Sequence, residues 1–133
     1  MKIKNIATFL LILMSFFSCQ NETKSDMSSG MIKVSIMYPN SEDGTFNMNY
    51  YKEKHMPMLA ELFGESLKKY SIDEGISGRL TSEPASYIAI GHLYFDTLPE
   101  YQEGFKKHGK IILDDIPNYT NIKPTVQISK VIK

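Results

Sequence analysis

Ten residues, Ser86–Phe95, constrain this 133-residue chain more than any others: "SYIAIGHLYF". At a period of two, Ile88, Ile90, His92 and Tyr94 share one face, and Tyr87, Ala89, Gly91, Leu93 and Phe95 share the other. Both faces are largely apolar, the pattern of a central strand covered on both sides. The chain therefore has to supply flanking strands and a cover for at least one face.

The flanking elements are legible. "MIKVSIMY", Met31–Tyr38, alternates with Ile32, Val34, Ile36 and Tyr38 on one side, and Pro39 ends it. A weaker strand is predicted over 66–76, and Thr125–Ile132 alternates as a last one. Between the first two strands lies a helix over 46–63, with Asn47 as N-cap and Gly64 closing it. A second helix is expected over 98–108, capped by Asp96 or Thr97 and stopped by Gly109. Residues 111–124, "IILDDIPNYTNIKP", are expected to form a packed linker in which Asp114 and Asp115 are solvated. The order is β-α-β-β-α-β, a ferredoxin-like α+β arrangement: one four-stranded antiparallel sheet with two helices on one face. The two-sided central strand then calls for a second copy of the chain on the other face, so a homodimer is expected.

The N-terminus has a different character. Lys2 and Lys4 precede an apolar run, Ile6–Phe17, and small Ser18 stands before Cys19, the only cysteine. This is a signal-peptide pattern, too short for a permanent membrane span. "FFSC" is similar to a lipobox, although Leu is usual where this chain has Phe16. The expected organisation is a lipoprotein signal over 1–18, a polar tether over 19–30 that starts at a lipidated Cys19, and one domain over 31–133. The expected location is the bacterial cell envelope, with the protein exported and held to a membrane by its lipid. Lipidation of Cys19 leaves no thiol for disulfides, redox or thiolate metal sites. Loss of Lys2 and Lys4 takes the basic residues from 15 to 13 against 15 acids, and with no basic stripe nucleic acid is not an expected partner.

Three histidines are available for chemistry. On a helical wheel Tyr51, His55, Met58, Leu59 and Leu62 form one apolar stripe, which turns His55 toward the core. Pro57 stands two residues later, where it interrupts the helical hydrogen bonds and bends or restarts the helix. Such a break loosens the packing beside His55. If the His92 face of the central strand looks at the helices, His55, His92 and Tyr94 converge; if not, His92 belongs to the dimer interface. Ala89 and Gly91 leave room on their own face, and Tyr38 ends the first strand near the same space. There is no dinucleotide fingerprint, Walker loop, HExxH or CxxC, and the histidines lack metal-ligand spacing. Neither a cofactor nor a metal is expected. The chemistry that remains is a His general base with Tyr hydroxyls as donors: His55 as catalytic residue, with Tyr38, Tyr51, His92 and Tyr94 binding a small apolar carbonyl or phenolic ligand.

The segments "MIKVSIMYPNSEDGTFNMNYYKEKHMPMLAELFG", "ASYIAIGHLYFD" and "DIPNYTNIKPTVQIS" resemble, in order, the EthD family of the dimeric α+β barrel superfamily, over about residues 31–132. The resemblance maps the family's characteristic His onto His55. It implies a dimeric barrel and, through the usual label of EthD family reductase, an oxidoreductase. Cofactor-free monooxygenases, cyclases, decarboxylases and haem-degrading enzymes belong to the wider superfamily. Three functions therefore compete: a cofactor-free His-based enzyme, a non-catalytic binding or accessory protein, and a haem- or flavin-dependent member.

Overall fold

The computed structural model describes residues 29–133. The predicted signal peptide, Cys19 and the tether up to residue 28 lie outside the described residues. Ser29 and Gly30, expected in the tether, are already tied to the far end of the domain: Gly30 N–H donates to the Val131 carbonyl at 2.8 Å and Ser29 Oγ to the Ile132 carbonyl at 3.1 Å.

Four strands make one antiparallel sheet: β1 (Ile32–Pro39), β2 (Lys69–Glu74), β3 (Tyr87–Phe95) and β4 (Thr125–Lys130), in the order β2-β3-β1-β4. Helix α1 (48–63) joins β1 to β2 and helix α2 (Leu98–Asp115) joins β3 to β4. The predicted βαββαβ fold is the observed one. The alternation of β3 also assigns its faces. Ala89, Gly91, Leu93 and Phe95 are buried, and Val34, Ile36 and Tyr38 pair with Leu93, Gly91 and Ala89 on the same side. That side meets the helices. The face carrying His92 and Tyr94 turns the other way.

Helix α1 is three segments in sequence: an α-turn Met48–Tyr50, a π-helical turn Tyr51–His55 and an α-helix Met56–Phe63. Asn47 caps it by accepting from Tyr50 N–H at 3.0 Å, and Gly64 ends it at φ +56°. The π-turn places the Met56 N–H on the Tyr51 carbonyl, five residues back. Pro57, which has no N–H to give, then sits in the first turn of the α-segment, where none is needed. One extra residue in the turn sets back the α-segment by roughly 100°. Met56, Leu59 and Phe63 therefore face the core, and Met58 and Leu62 are only half-buried, unlike the uniform wheel.

Helix α2 does not stop at Gly109. It runs on to Asp115, and a 3-10 turn Ile116–Asn118 comes next. A glycine inside a helix costs only about 1 kcal/mol. Burying Ile112 one turn later returns roughly 1.5–3 kcal/mol, so the helix continues. The start of α2 is fixed by a capping box in which Thr97 and Glu100 exchange hydrogen bonds.

Candidate functional site

The core between helices and sheet contains a cavity of about 310 Å³. Val34, Ile36 and Tyr38 of β1 form its floor, Tyr51, His55 and Leu59 of α1 one wall, and Phe105 and Ile112 of α2 the other. Most of this lining is apolar. His55 is the exception that can carry charge near neutral pH, and its residue is only 3% exposed.

Its imidazole is held from both ends. Nδ1 lies 2.7 Å from Asp115 Oδ2. The other carboxylate oxygen, Oδ1, accepts from the Tyr50 hydroxyl at 2.8 Å and from Asn118 Nδ2 at 2.9 Å. Burial alone would raise the Asp115 carboxyl, but the bonds from His55, Asn118 and Tyr50 outweigh it and hold the group below its ordinary range. Burial likewise pushes the imidazole of His55 below its ordinary value, against the pull of Asp115. A carboxylate only accepts, so Nδ1 carries the proton and Nε2 of the neutral ring carries the lone pair.

That lone pair meets the Tyr119 hydroxyl at 3.3 Å, and Tyr119 meets the Tyr38 hydroxyl at 2.6 Å. The ring sets the proton order: Tyr119 donates to Nε2, and Tyr38 donates to the Tyr119 oxygen. The first of these bonds is long for a hydroxyl donor and correspondingly weak. Burial raises all three phenols, Tyr38, Tyr51 and Tyr119, so they remain donors at neutral pH. Tyr51 stacks on His55 with centroids 5.5 Å apart, and its hydroxyl reaches the surface of Gly91. The room beside Gly91, expected to suit a ligand, is taken by this hydroxyl.

Of the predicted site residues, His55, Tyr38 and Tyr51 come together. His92 and Tyr94 do not join them, because strand parity points both away from the helices. His92 instead bridges Ser35 Oγ and Asp73 Oδ2, each at 2.9 Å, and Tyr94 lies under the ammonium of Lys69. Asp115 is not solvated as expected: its side chain is only 14% exposed and it anchors His55. Asp115, Asn118 and Tyr119 are site residues that spacing does not single out, although all three lie in "DIPNYT", the motif that carries part of the resemblance. The extension of α2 past Gly109 is what brings Asp115 beside His55. Among the described residues no group of three or more His, Cys, Asp or Glu is placed to hold a metal ion.

Comparison with known proteins agrees with this fold. Residues 44–123 match the EthD domain model. An EthD-like protein from Ralstonia eutropha JMP134 is 36% identical, with a TM-score of 0.76, over 79% of this chain and 95% of that one. An ethyl tert-butyl ether D (EthD) family protein from Bacillus halodurans C-125 is 15% identical, with a TM-score of 0.54 over 75% and 97% of the two chains, a likeness of fold alone. No curated protein matches the chain. The matched region contains His55 on α1, Asp115 at the end of α2 and Tyr119 after the 3-10 turn, while Tyr38 lies just before it, and the chain belongs to the EthD family.

Proposed function

We propose that the domain binds a small, mostly apolar compound bearing a carbonyl or phenolic oxygen, and that His55 removes a proton from it without a bound cofactor. One observation carries this reading: a neutral imidazole, fixed through Nδ1 by a half-buried carboxylate, lines an apolar cavity with only a weak partner on Nε2. The ligand displaces the Tyr119 hydroxyl from Nε2. Nε2 takes the proton from a C–H or O–H bond, and the bonding pair shifts onto the substrate oxygen. Tyr119, backed by Tyr38, donates to that oxygen. Asp115 stabilises the imidazolium that forms. The enolate or phenolate is also the electron-rich species that gives electrons to an oxidant such as dioxygen, so the same proton removal prepares a substrate for oxidation.

Deuterium exchange tests the proton transfer without knowledge of the full reaction. An activated ketone such as 2-tetralone is incubated with the protein in D2O and monitored by NMR. His55→Ala is expected to slow enzyme-dependent exchange by about 10²–10⁴-fold while the circular dichroism spectrum is kept. Binding without any exchange in the wild-type protein would sink the catalytic reading.

That outcome would favour a carrier or accessory protein, a second reading with support of its own. Among the described residues no buried side-chain nitrogen or oxygen lacks a hydrogen-bond partner, so the site is stable without a reaction to perform. A haem or flavin fits less well. The space directly beside His55, about 310 Å³, is at the small end of ligand cavities, roughly 300 Å³ and upward.

Two features of the setting belong to the same proposal. The chain is lipid-anchored through Cys19 at the cell envelope, a reading supported by the N-terminal sequence; replacing Cys19 with Ala should release it from the membrane fraction. The domain is a homodimer through the helix-free face of the sheet, where Ile88 and Ile90 are only half-buried. Sedimentation of the Ile90→Asp variant as a monomer would support this.

A further inference from the structure

The cavity beside His55 is not closed. A much larger open groove of about 1170 Å³ lies along the end of α2 and the segment before β4. Leu113, Ile116, Pro124 and Val126 line both spaces, so the groove and the cavity meet at these four residues. The sheet explains the opening. Val126 and Ile128 of β4 pair with Ile36 and Val34, which places them on the helix-facing side. Yet Val126 is 50% exposed and Ile128 is 45% exposed, and Leu113 opposite them on α2 is 53% exposed. The helices cover β3 and β1 and leave the inner face of the edge strand β4 bare.

We propose that the compound bound at His55 is longer than the cavity: its oxygen-bearing end sits at the imidazole, and an unbranched apolar tail leaves between Leu113 and Val126 to lie in the groove. This inference rests on the cavity reading above and narrows its ligand class to molecules with a polar head and an extended hydrocarbon tail. Polar residues also line the groove, Asn47, Asn118, Asn121 and Lys123 among them, but an apolar path continues through it, and that path is what favours a ligand tail over other occupants. From the mouth, the wall runs on to Met48 and Ile122, residues that do not touch the inner cavity.

The test uses 4-methylphenol, 4-butylphenol and 4-hexylphenol as probes, with affinities measured by calorimetry on the domain over 29–133 and on the full chain. A fully buried methylene strengthens binding by up to about fourfold, so partial burial of the five added carbons predicts a hexyl-to-methyl ratio of about 10². Val126→Asp at the mouth and Met48→Asp on the groove wall should each lower that ratio at least tenfold. The ratio compares two ligands on one variant, so a general loss of folded protein does not mimic the effect. A ratio near one in the wild-type protein overturns the inference and leaves the cavity reading intact. So does a ratio kept in both variants, including the case in which Val126→Asp merely splits a dimer, which would assign the bare edge to self-association. Failure of 4-methylphenol to bind at all sinks the cavity reading and the inference with it.

Discussion

Asp115 offers one oxygen to two donors and the other to His55, and this asymmetry decides what a conservative substitution does. In Asp115→Asn the amide oxygen belongs at the Oδ1 position, where Tyr50 and Asn118 donate. The amide N–H₂ then faces Nδ1, which has to become the acceptor, and the proton moves to Nε2. The variant keeps the fold but loses the base, so proton-exchange activity should fall about as far as in His55→Ala, by about 10²–10⁴-fold. Gly91 is a second site where one atom decides. A Cβ there would lie 2.1 Å from the Tyr51 hydroxyl and 3.3 Å from the ring carbon that carries it. Tyr51 is buried and packed, so Gly91→Ala should destabilise by about 1–3 kcal/mol. Removing the obstructing oxygen in Gly91→Ala/Tyr51→Phe should recover most of that loss, measured as a double-mutant cycle in urea.

Helix α1 shows how far elements are legible in the sequence and where legibility ends. Its existence, its Asn47 cap, its Gly64 stop and the inward turn of Tyr51 and His55 are all set by spacing. The π-turn is not, because a wheel assumes a uniform rotation per residue, and Pro57 is the only trace of it. In the same way Gly109 looks like a stop, since a local rule cannot weigh about 1 kcal/mol of glycine cost against the burial of Ile112. That misjudged end hides Asp115 and Tyr119, half of the site. The faces of β3 are equally hidden, because both are apolar; tertiary packing selects one, with Tyr51 fitted against Gly91 and Phe63 against Phe95. Contact between the helices also hangs on a glycine. A Cβ on Gly104 of α2 would meet the Phe63 ring of α1 at 2.5 Å. Alanine gains about 1 kcal/mol in helix propensity, but overpacking costs roughly 1–3 kcal/mol. Gly104→Ala should therefore lower the urea midpoint, where an exposed helical glycine would raise it.

Across the domain, the sheet separates two environments. One face packs on the helices and holds the cavity with its aromatic lining; the other carries Ser35, His92 and Asp73 among half-buried isoleucines. The His55–Asp115 pair links the first environment to pH. His55 titrates lower in the folded protein than its ordinary 6.5, so below that pH the unfolded chain binds more protons than the folded one. Stability is full above about 6.5 and falls as the pH drops toward the folded value of His55. Asp115, held low by its donors, adds a further loss in stronger acid, as the pH falls through its own folded value. Urea unfolding at pH 7.5, 6.0 and 5.0 should show the decline, and His55→Gln should remove its upper portion.

The proton transfer proposed for this domain depends on His55 being a neutral base, protonated on Nδ1 by virtue of Asp115 and reached by a substrate at Nε2. Long-range ¹H–¹⁵N NMR of the histidine side chains reads this tautomer without any ligand. The expected result is an Nδ1–H tautomer for His55 at pH 7, a titration midpoint below 6.5, and conversion to the Nε2–H tautomer in Asp115→Asn. An Nε2–H tautomer in the wild-type protein, or a midpoint at or above 6.5, would refute it.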